Sequence, residues 1–323
     1  MRWIAAGLLA VAGVCYGQAV VIGAGYSTPG AIDAAPGQVI TIFARVPGKS
    51  PADPISASAP LPVTLGGFSV TLRQSFPPES LAVPILSVAD AQSCSQVAPM
   101  VCDAVSQITV QIPYELAPNA PPGTVPRPTV PLNSARLEIS YNASASATGS
   151  LILNPLPDRI HILNACDVAA NPSPGQECLP VVKRADGTVV SQDNAPEAGE
   201  VLTLSVVGLG SLQTPVATGA AAPQQPAAVD GVLVGTDARA NAAPGKPLAD
   251  TSSPARSAQL QPGSVGIYQV TFTVPSLPDG TPGCSSRVQS NLTINIGRTS
   301  FDSVGICVVP AAQASRVPGR RAR

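Results

Sequence analysis

This chain of 323 residues contains one histidine, His161, which limits its scope for nucleophilic chemistry. A Ser-His-Asp or Cys-His site needs an imidazole that takes a proton from the nucleophile, so any such site would have to include His161. The residue stands in RIHILNAC, a strand-like segment in which a structural or solvent-facing position is expected. No G-x-S-x-G elbow, P-loop or dinucleotide-binding fingerprint is present. We therefore predict no catalytic residue and no cofactor.

Carboxylates could also do chemistry, because two carboxyl groups about 5 to 9.5 Å apart are enough for glycoside hydrolysis. The acidic residues fall mainly in turn sequences such as ADGT and SQDNAP, which place Asp186, Asp193 and Glu197. Asp and Asn favour such turns through hydrogen bonds to the local backbone. Calcium binding at Asp186, Asp193 and Asn194 would lack the D-x-D-x-D-G spacing of an EF-hand loop. We predict turns and no metal site, and a glycan hydrolase with unrecognised paired carboxylates is the alternative.

Tyr114 and Tyr268 are candidates for carbohydrate contact, because aromatic side chains on the face of a sandwich can hold sugars. They flank two similar segments, SQITVQIP and YQVTFTVP. Two tyrosines do not form a platform, and aromatic rings bury large apolar areas in cores. We expect both rings to pack in the core or at its rim.

The N-terminal segment MRWIAAGLLAVAGVCYGQA has the organisation of a secretory signal peptide. It has one positive charge at Arg2, an apolar run from Trp3 to Val14 and small residues near Gly17, and it is too short for a membrane span. We predict cleavage after Gly17 and a secreted or cell-surface location. Lipidation of Cys15 is an alternative, although Val14 is bulky where a lipoprotein signal needs a small residue. No later segment is apolar over about 18 residues, so the mature chain has no predicted transmembrane segment.

Removal of this leader reduces the seven cysteines of the chain to six. An even number of cysteines in an exported chain suggests disulfides. None of the spacings is the C-x-x-C of a zinc or thioredoxin-type site, so metal and redox roles are not predicted. Each bond would contribute about 2 to 4 kcal/mol. The simplest assignment joins sequence neighbours, namely Cys94 with Cys102, Cys166 with Cys178, and Cys284 with Cys307.

The composition argues against nucleic-acid binding and against long helices. A formal net charge of −1 and 3% aromatic residues provide neither a basic field nor rings for base stacking. The 36 prolines and 28 glycines are spread along the whole chain and would interrupt helices. The C-terminal RVPGRRAR, with Arg316, Arg320, Arg321 and Arg323, is a basic cluster that we interpret as a solvated, flexible tail.

Apolar residues alternate with polar ones in several short segments, as they do in half-buried strands. The clearest examples are VITIF, ITVQI and VTFTV. Pro, Gly, Asn or Asp bounds each further candidate. These candidates are SARLEISYNAS, SLILNPL, IHILNAC, LPVVKRA, NLTINIG and SVGICVV. Short strands at this spacing favour a β-sandwich.

Two pairs of segments repeat at one spacing. APGQVITIFAR aligns with EAGEVLTLSVVGLG, so that Gly37 matches Gly199, 162 residues later. SQITVQIP aligns with YQVTFTVP, so that Pro113 matches Pro275, again 162 residues later. Two matches at the same spacing indicate an internal duplication.

The segment TPVATGAAAPQQP, residues 214–226, is placed by this repeat. Gly67 of LGGFSVTL matches Gly231 of VDGVLVG at a spacing of 164, so the second repeat has two extra residues before Gly231. Residues 53–62 occupy the same position in the first repeat. We therefore predict that 214–226 is a crossing loop within a module rather than an interdomain linker, stiffened by its prolines and able to lie close against the sandwich.

Several segments together resemble the Solibacter uncharacterised C-terminal domain family of exported acidobacterial repeat domains. They are APGQVITIF, LPVTLGGFSVTL, SQITVQIPYEL, ADGTVVSQDNAPEAGEVLTLSVVGLG, PVATGAAAP and GIYQVTFTVP. The resemblance covers nearly all of the mature chain. It implies extracellular Ig-like β-sandwich modules with no established activity or catalytic residues. The chain departs from the family pattern at FARVPG and in a cysteine-bearing insertion at 89–103.

These observations predict an all-β protein with two tandem Ig-like β-sandwich domains after a signal peptide. The predicted boundaries are 1–17 for the signal peptide, 18–156 and 157–312 for the two repeats, and 313–323 for the tail. The expected function is a non-enzymatic one in adhesion, structure, or binding of a glycan or protein. Extracellular polysaccharide and another surface protein are the candidate partners.

Overall fold

The alternating segments form strands throughout the part of the chain that the structure describes. This computed structural model describes residues 20–22, 31–45, 54–94, 102–119, 133–143, 148–168, 178–242 and 252–310. Within these ranges the chain is all-β apart from one helical turn, α1 (Ala165–Val168). The predicted signal peptide with Cys15, and the predicted basic tail, lie outside the described residues.

The strands before residue 156 form two sheets with one buried core between them, here called the first sandwich. One sheet has the order β1-β3-β9-β8-β4, and the other has the order β2-β11-β10-β6-β5, with β7 also paired to β6. The strands are β1 (Val20–Ile22), β2 (Ile32–Ala34), β3 (Val39–Arg45), β4 (Ile55–Ser56), β5 (Thr64–Leu65), β6 (Phe68–Ser75), β7 (Pro78–Val83), β8 (Ile85–Cys94), β9 (Cys102–Gln111), β10 (Ala135–Tyr141) and β11 (Thr148–Pro155).

The strands after residue 160 form the second sandwich around a separate buried core. One sheet has the order β12-β14-β18-β17, with β13 also paired to β14, and the other has the order β16-β15-β19-β20. The strands are β12 (His161–Ile162), β13 (Val182–Arg184), β14 (Val201–Val207), β15 (Leu233–Asp237), β16 (Ser252–Pro254), β17 (Ser257–Leu260), β18 (Ile267–Thr273), β19 (Leu292–Gly297) and β20 (Phe301–Ile306).

Period-two alternation fills both cores. In β6, Phe68, Val70 and Leu72 are almost completely excluded from solvent while the residues between them are less buried. In β18, Tyr268 and Val270 are fully buried in the same manner. Residues i and i+2 of a strand face the same side, so each strand contributes one row of side chains to its core.

The central strand pair has the same register in the two sandwiches. Strands β3 and β9 are antiparallel with Val39 opposite Gln111, and β14 and β18 are antiparallel with Val201 opposite Thr273. Both residues of the second pair follow those of the first by 162 positions. The hydrogen-bonded ladder therefore recurs at the spacing on which the predicted duplication rests.

The turn before this pair is also built in the same way in both sandwiches. Gly37 and Gly199 have positive φ angles of 73° and 89°, a conformation that glycine adopts without a steric penalty. The next residue, Gln38 or Glu200, accepts a hydrogen bond at its Oε1 atom from the amide three residues earlier, at 2.9 Å in each case. The side chain therefore closes the turn that leads into the strand.

The loop at 214–226 joins the two sandwiches. The Thr218 hydroxyl donates to Glu115 Oε2 at 2.7 Å and accepts from the Tyr114 amide at 3.0 Å. The Gly219 amide donates to the buried Gln111 Oε1 at 2.7 Å, and the Gly219 carbonyl accepts from the Leu61 amide at 2.8 Å. The loop thus runs from one sheet of the second sandwich to the other, as its position in the sequence predicts. It also binds the first sandwich.

A second contact at this joint brings backbone against backbone. At Gly266, with a φ of +65°, a Cβ atom would lie 2.7 Å from Val39 Cγ2 and 2.8 Å from the Gly37 carbonyl oxygen. A side chain therefore has no room at this position. The start of β18 and the turn before β3 can approach this closely because both positions are glycines.

Candidate functional site

His161 lies between two carboxylates at the edge of the second sandwich. Its Nε2 atom is 2.9 Å from Asp167 Oδ2 on α1, and its Nδ1 atom is 3.2 Å from Asp302 Oδ2 on β20. Asp302 also accepts the Ile162 amide at 2.8 Å, and Asp167 accepts the Asn164 amide at 2.8 Å. The imidazole therefore links β12 and α1 to β20, which lies about 140 residues later in the chain.

The charges around His161 favour its protonated form. Hydrogen bonding to Asp302 raises the pKa of His161 above its ordinary value; burial opposes this rise, and Asp167 adds to it. Burial by itself raises the pKa of Asp302, but hydrogen bonds from His161 and from the Ile162 and Ser303 amides bring that pKa below its ordinary value. With both ring nitrogens facing carboxylates, the imidazole has no nitrogen left to accept a proton from a serine or cysteine. This arrangement suits a structural clip, not a general base.

A shallow cavity of about 370 Å³ beside His161 contains two carboxylates, Asp33 and Asp302. Asp33 accepts a hydrogen bond from Asn154 Nδ2 at 2.9 Å and lies 3.8 Å from Arg159 Nε. Asp302 is engaged by His161, as described above. Each carboxylate thus has hydrogen-bond or ion-pair partners of its own. Since Asp33 and Asp302 line one cavity, they are the pair on which the alternative function, a glycan hydrolase, can be tested.

A larger cleft of about 540 Å³ opens at the same edge of the second sandwich. One wall consists of residues from the segments 178–182 and 190–192, beside β13. The other wall consists of residues from 285–289 and 305–307, at the end of β20. The two sheets of the sandwich are thus linked at one end of their edges by Asp302 and separated at the other end by the cleft.

Two disulfides end in the walls of this cleft. Cys178 and Cys307 both line it; they are bonded to Cys166 and Cys284, respectively. The Gln192 side chain also spans the walls, with Nε2 donating to the Ser285 carbonyl at 2.8 Å. The structure supports these two predicted cysteine pairs, and the bonds fix the position of each wall.

The third predicted pair, Cys94 with Cys102, lies at the end of the β8–β9 hairpin. The register places the two residues directly opposite each other, while their side chains lie outside the described residues. The insertion at 89–103 thus extends this hairpin on both of its strands.

The surface of the cleft is uncharged. Its lining side chains are apolar, hydroxyl or amide groups together with the two half-cystines. Leu179 and Val189 beside it are 49% and 52% exposed, which is high for such large apolar residues. Arg287 belongs to the second wall's turn but does not line the cleft. The chemistry available is apolar contact together with hydrogen bonding from Ser, Gln and backbone groups.

The two candidate tyrosines pack inside the protein instead of forming a surface platform. Tyr268 is 0% exposed, and its hydroxyl donates to the Gly210 carbonyl at 3.0 Å. Tyr114 packs at the joint, where a Cβ atom on Gly37 would lie 2.0 Å from its ring. Burial raises the pKa of both hydroxyls. Neither ring is available to stack on a sugar.

The acidic residues predicted to form turns lie in turns. Asp186 Oδ1 accepts the Thr188 amide at 2.9 Å, and this hydrogen bond lowers the pKa of Asp186. The side chain of Asn194 donates to the Val189 carbonyl at 3.2 Å, and the Glu197 amide donates to Glu200. In the described ranges, no three His, Cys, Asp or Glu side chains converge as metal ligands would.

The sequence interpretation did not identify Asp158. This carboxylate is 1% exposed and accepts hydrogen bonds from the backbone amides and hydroxyls of Thr299 and Ser300, in the turn between β19 and β20. It precedes β12 by three residues, and its partners lie about 140 residues later in the chain. An aspartate in the sequence PLPDRI carries no signal of such a distant turn.

None of the helical residues in the described ranges forms a segment with the length and hydropathy of a bilayer span. A scan against protein-family models and a search of curated proteins found no match. Among solved structures the chain is similar to one described as BspA_C_WT, with 10% sequence identity, a TM-score of 0.18, and coverage of 89% of this chain and 99% of that chain. A likeness at that TM-score does not establish a shared fold or function. The resemblance to the Solibacter family stays a prediction.

Proposed function

We propose that this protein is an exported, non-enzymatic binding protein that holds its ligand in the cleft between the edges of the second sandwich. The observation that carries the proposal is the uncharged cleft of about 540 Å³, whose walls are each tied by a disulfide. Ligand sites are concave, mostly preformed and lined by apolar groups with a few polar ones, with volumes of about 300 to 1,000 Å³. The cleft falls in this range of volume and is concave, and its lining combines apolar side chains with serine, glutamine and backbone groups.

An exported location accords with the disulfides, because such bonds persist in oxidising compartments. The family resemblance and the predicted leader point to the same location. On the cell surface or outside the cell, candidate ligands are polysaccharides and the exposed segments of other surface proteins. The proposed role is attachment or matrix binding.

We also propose that the two sandwiches are two Ig-like domains, at 18–156 and 157–312, that arose by duplication. The support is the common register of the central strand pair and the division of the buried hydrophobic residues into two clusters. Membership of the Solibacter family is part of the same proposal. It rests on the sequence motifs.

A glycan hydrolase is the second candidate function, and one observation favours it. Asp33 and Asp302 line one cavity. Against it, each of the two carboxylates is engaged by basic or amide side chains, and the pKa of Asp302 is lowered, which disfavours the protonated form that a general acid needs. Hydrolysis by this pair would require Asp302, and replacement by asparagine would abolish it.

Incubation of the purified mature protein with a panel of polysaccharides, and with immobilised surface proteins, tests the proposal. The readouts are retention of the protein and release of reducing ends. We expect that the wild-type protein is retained and releases no reducing ends. Retention should be lost in Ser286→Trp, because the indole fills the cleft, and kept in Ser150→Trp, because Ser150 lies on the outer face of β11. Release that disappears in Asp302→Asn would replace the binding function by the hydrolase. Retention that is equal in the two tryptophan variants would place the site elsewhere.

A further inference from the structure

We propose that the joint between the two sandwiches holds a second binding site, which takes one or two rings of an uncharged saccharide. The site is the cavity of about 370 Å³ beside His161, here called the joint cavity. It is separate from the cleft, so the proposal goes beyond the function proposed above and does not depend on it. It rests on the position of the cavity, an unused donor on a buried side chain, and the charge and aromatic surface of the lining.

Both sandwiches contribute residues to the joint cavity. Asp33 in β2 and Gln38 in the turn before β3 come from the first sandwich. Residues 159–161 at the start of the second sandwich, and Phe301 and Asp302 of β20, form the rest of the lining. Ligand sites occur preferentially at such boundaries between domains, with volumes of about 300 to 1,000 Å³. The joint cavity has the position and the size of a site for a small ligand.

Gln38 brings to this cavity a donor that has no partner in the protein. The residue is 7% exposed, and its Oε1 atom accepts from the Ala35 amide at 2.9 Å, which fixes the orientation of the side-chain amide. The backbone amide and carbonyl of Gln38 are bonded as well, to Ala35 and Ile112. In the described part of the chain, the Nε2 atom donates to no acceptor. Buried polar groups are normally hydrogen-bonded, so this donor is available to a ligand.

Glu200, the equivalent residue of the second sandwich, shows that the turn does not need this free donor. Glu200 closes its turn with Oε1, as Gln38 does, and its Oε2 atom accepts from Arg184 Nε at 2.8 Å. Both side-chain oxygens of Glu200 are therefore engaged within its own sandwich. The turn uses one of the two side-chain atoms, and the second atom of Gln38 is left for the joint cavity.

Arg159 and Asp33 add exposed hydrogen-bonding groups to the lining. Their side chains are 49% and 44% exposed, and Arg159 Nε lies 3.8 Å from Asp33 Oδ2, which is too long for a hydrogen bond. Asp33 Oδ1 accepts from Asn154, so Oδ2 can accept from a ligand. A hydroxyl group both donates and accepts. Sugar hydroxyls can therefore donate to Asp33 and accept from Arg159 and Gln38.

The charges of the lining favour an uncharged ligand. Asp33 and Asp302 contribute two carboxylates. Arg159 contributes a guanidinium group, and His161 contributes an imidazole. An anion would meet the carboxylates and a cation would meet the guanidinium group, so a ligand of either sign would face a like charge. A neutral ligand that carries several hydroxyl groups avoids this repulsion.

Phe301 supplies an apolar surface for a sugar ring. It is 45% exposed, although it is large and apolar, and it lines the joint cavity next to Asp302. One face of a sugar ring carries C–H groups, which pack against the electron-rich face of an aromatic ring. A purely apolar ligand would leave the Gln38 donor unpaired. A saccharide satisfies both the aromatic ring and the polar groups.

Titration of the full mature protein with cellobiose, maltose, lactose and diacetylchitobiose tests the inference, with saturation-transfer NMR as the readout. We expect at least one of these neutral disaccharides to bind with a millimolar dissociation constant, because a small cavity makes few contacts. Such an affinity is too weak to retain the protein on a polysaccharide, so the retention test of the cleft stays separate. Equal binding of the methyl glycoside would identify a glycan chain as the source, and its loss a free sugar; both results support a saccharide site.

Two variants assign the binding to the joint cavity. Gln38→Glu keeps the Oε1 acceptor and replaces the free donor by an oxygen, as in Glu200, so it should keep the fold and weaken binding about tenfold or more. Phe301→Ala should weaken binding to a similar extent, because it removes the aromatic face. Phe76→Ala is the matched control, since Phe76 is 47% exposed and does not line the joint cavity. Urea denaturation shows whether each variant is folded.

Three results would overturn the joint site. The first is that none of the four disaccharides binds, and the second is that binding is unchanged in both Gln38→Glu and Phe301→Ala. The third is binding that Ser286→Trp abolishes, which would place the saccharide in the cleft and support the function proposed above. Binding of wild type and Ser286→Trp alike, weakened in Gln38→Glu and Phe301→Ala, is the result that we expect.

Discussion

The two sandwiches agree at their centres and differ at their edges. The central pair has one register in both, β3 with β9 and β14 with β18, and a cross-strand threonine pair has hydroxyl oxygens 3.3 Å apart in the first sandwich and 3.4 Å apart in the second. Around this pair the first sandwich has a long β8–β9 hairpin and the strand β7. The second has short strands, two disulfides and an open cleft.

This difference shows where sequence change is tolerated in such a fold. Central strands pack one face on the core and bond on both edges, so a change there disturbs many contacts at once. An edge strand has one bonded neighbour and a solvent-facing side, and its surroundings can change without loss of the core. The cleft that we propose to bind a ligand lies at such an edge of the second sandwich. We propose no ligand site that lies wholly among the described residues of the first sandwich.

The largest expected loss of stability comes from removing one buried polar side chain in each sandwich, Asp158 in the second and Asn133 in the first. Asp158→Ala should lower the free energy of unfolding by about 3 kcal/mol, because four donors of the β19–β20 turn lose a charged acceptor. Asn133→Ala should cost the first sandwich about 2 kcal/mol, because this buried amide bonds Ser75, Phe76 and Ala117. Urea denaturation measures both, with the exposed Asp193→Ala as the control.

These two variants sharpen the comparison because they act on different sandwiches. Asp158→Ala should also release the start of β20 and, through this strand, weaken ligand binding in the cleft at its other end, whereas Asn133→Ala should leave binding unchanged. Equal loss of binding in both variants would contradict the placement of the site in the second sandwich.

A smaller effect is expected at the joint. Gly266→Ala places a Cβ atom against Val39 and the Gly37 carbonyl and holds a positive φ, which together should cost about 1 to 3 kcal/mol. Calorimetry should then resolve separate transitions for the two sandwiches in place of a coupled one. Gly263→Ala is the matched control, since it has a φ of +75° and nothing within 4 Å of the added atom. If both variants give the same thermogram, contact at Gly266 does not couple the sandwiches.

The smallest effect is the pH dependence of the His161 clip, which has no counterpart among the described residues of the first sandwich. The folded pKa of His161 is raised above the ordinary value near 6.5. Its contribution to stability is therefore fully present below about pH 6.5 and is lost as the pH rises through the raised pKa. The side chain is nearly half exposed, so we expect less than about 1 kcal/mol.

Denaturation of wild type and His161→Gln between pH 5 and pH 8 measures this contribution. The stability difference should shrink as the pH rises. Asp302 has the opposite sign, because its pKa is lowered, so its contribution is lost as the pH falls below its ordinary value of 3.8. A stability difference that is constant between pH 5 and pH 8 would show that folding does not shift the pKa of His161.

Local patterns were sufficient to predict the strands and two cysteine pairs. VITIF and VTFTV alternate with period two, and they form β3 and β18. Cys166 and Cys178 are neighbours in the order of the cysteines, and pairing such neighbours is the simplest of the possible assignments. These features depend on neighbouring residues, and the sequence records them directly.

The candidate site could not be predicted because it depends on distant segments. The walls of the cleft come from 178–192 and 285–307, and the clip joins His161 to Asp302 across about 140 residues. The alternation in SVGIC indicates a strand but not whether that strand has one neighbour or two. Only the order of strands in the sheet shows that β20 is an edge.

The attachment of the 214–226 loop to the first sandwich has a mechanical consequence. Hydrogen bonds from Gly219 and Thr218 to Gln111 and Glu115 connect the two sandwiches in parallel with the covalent chain between β11 and β12. A tensile load applied along the chain would therefore be shared between these bonds and the connecting segment. The protein would resist stretching as one stiff unit until the loop is detached, and only then extend as two bodies on a short tether.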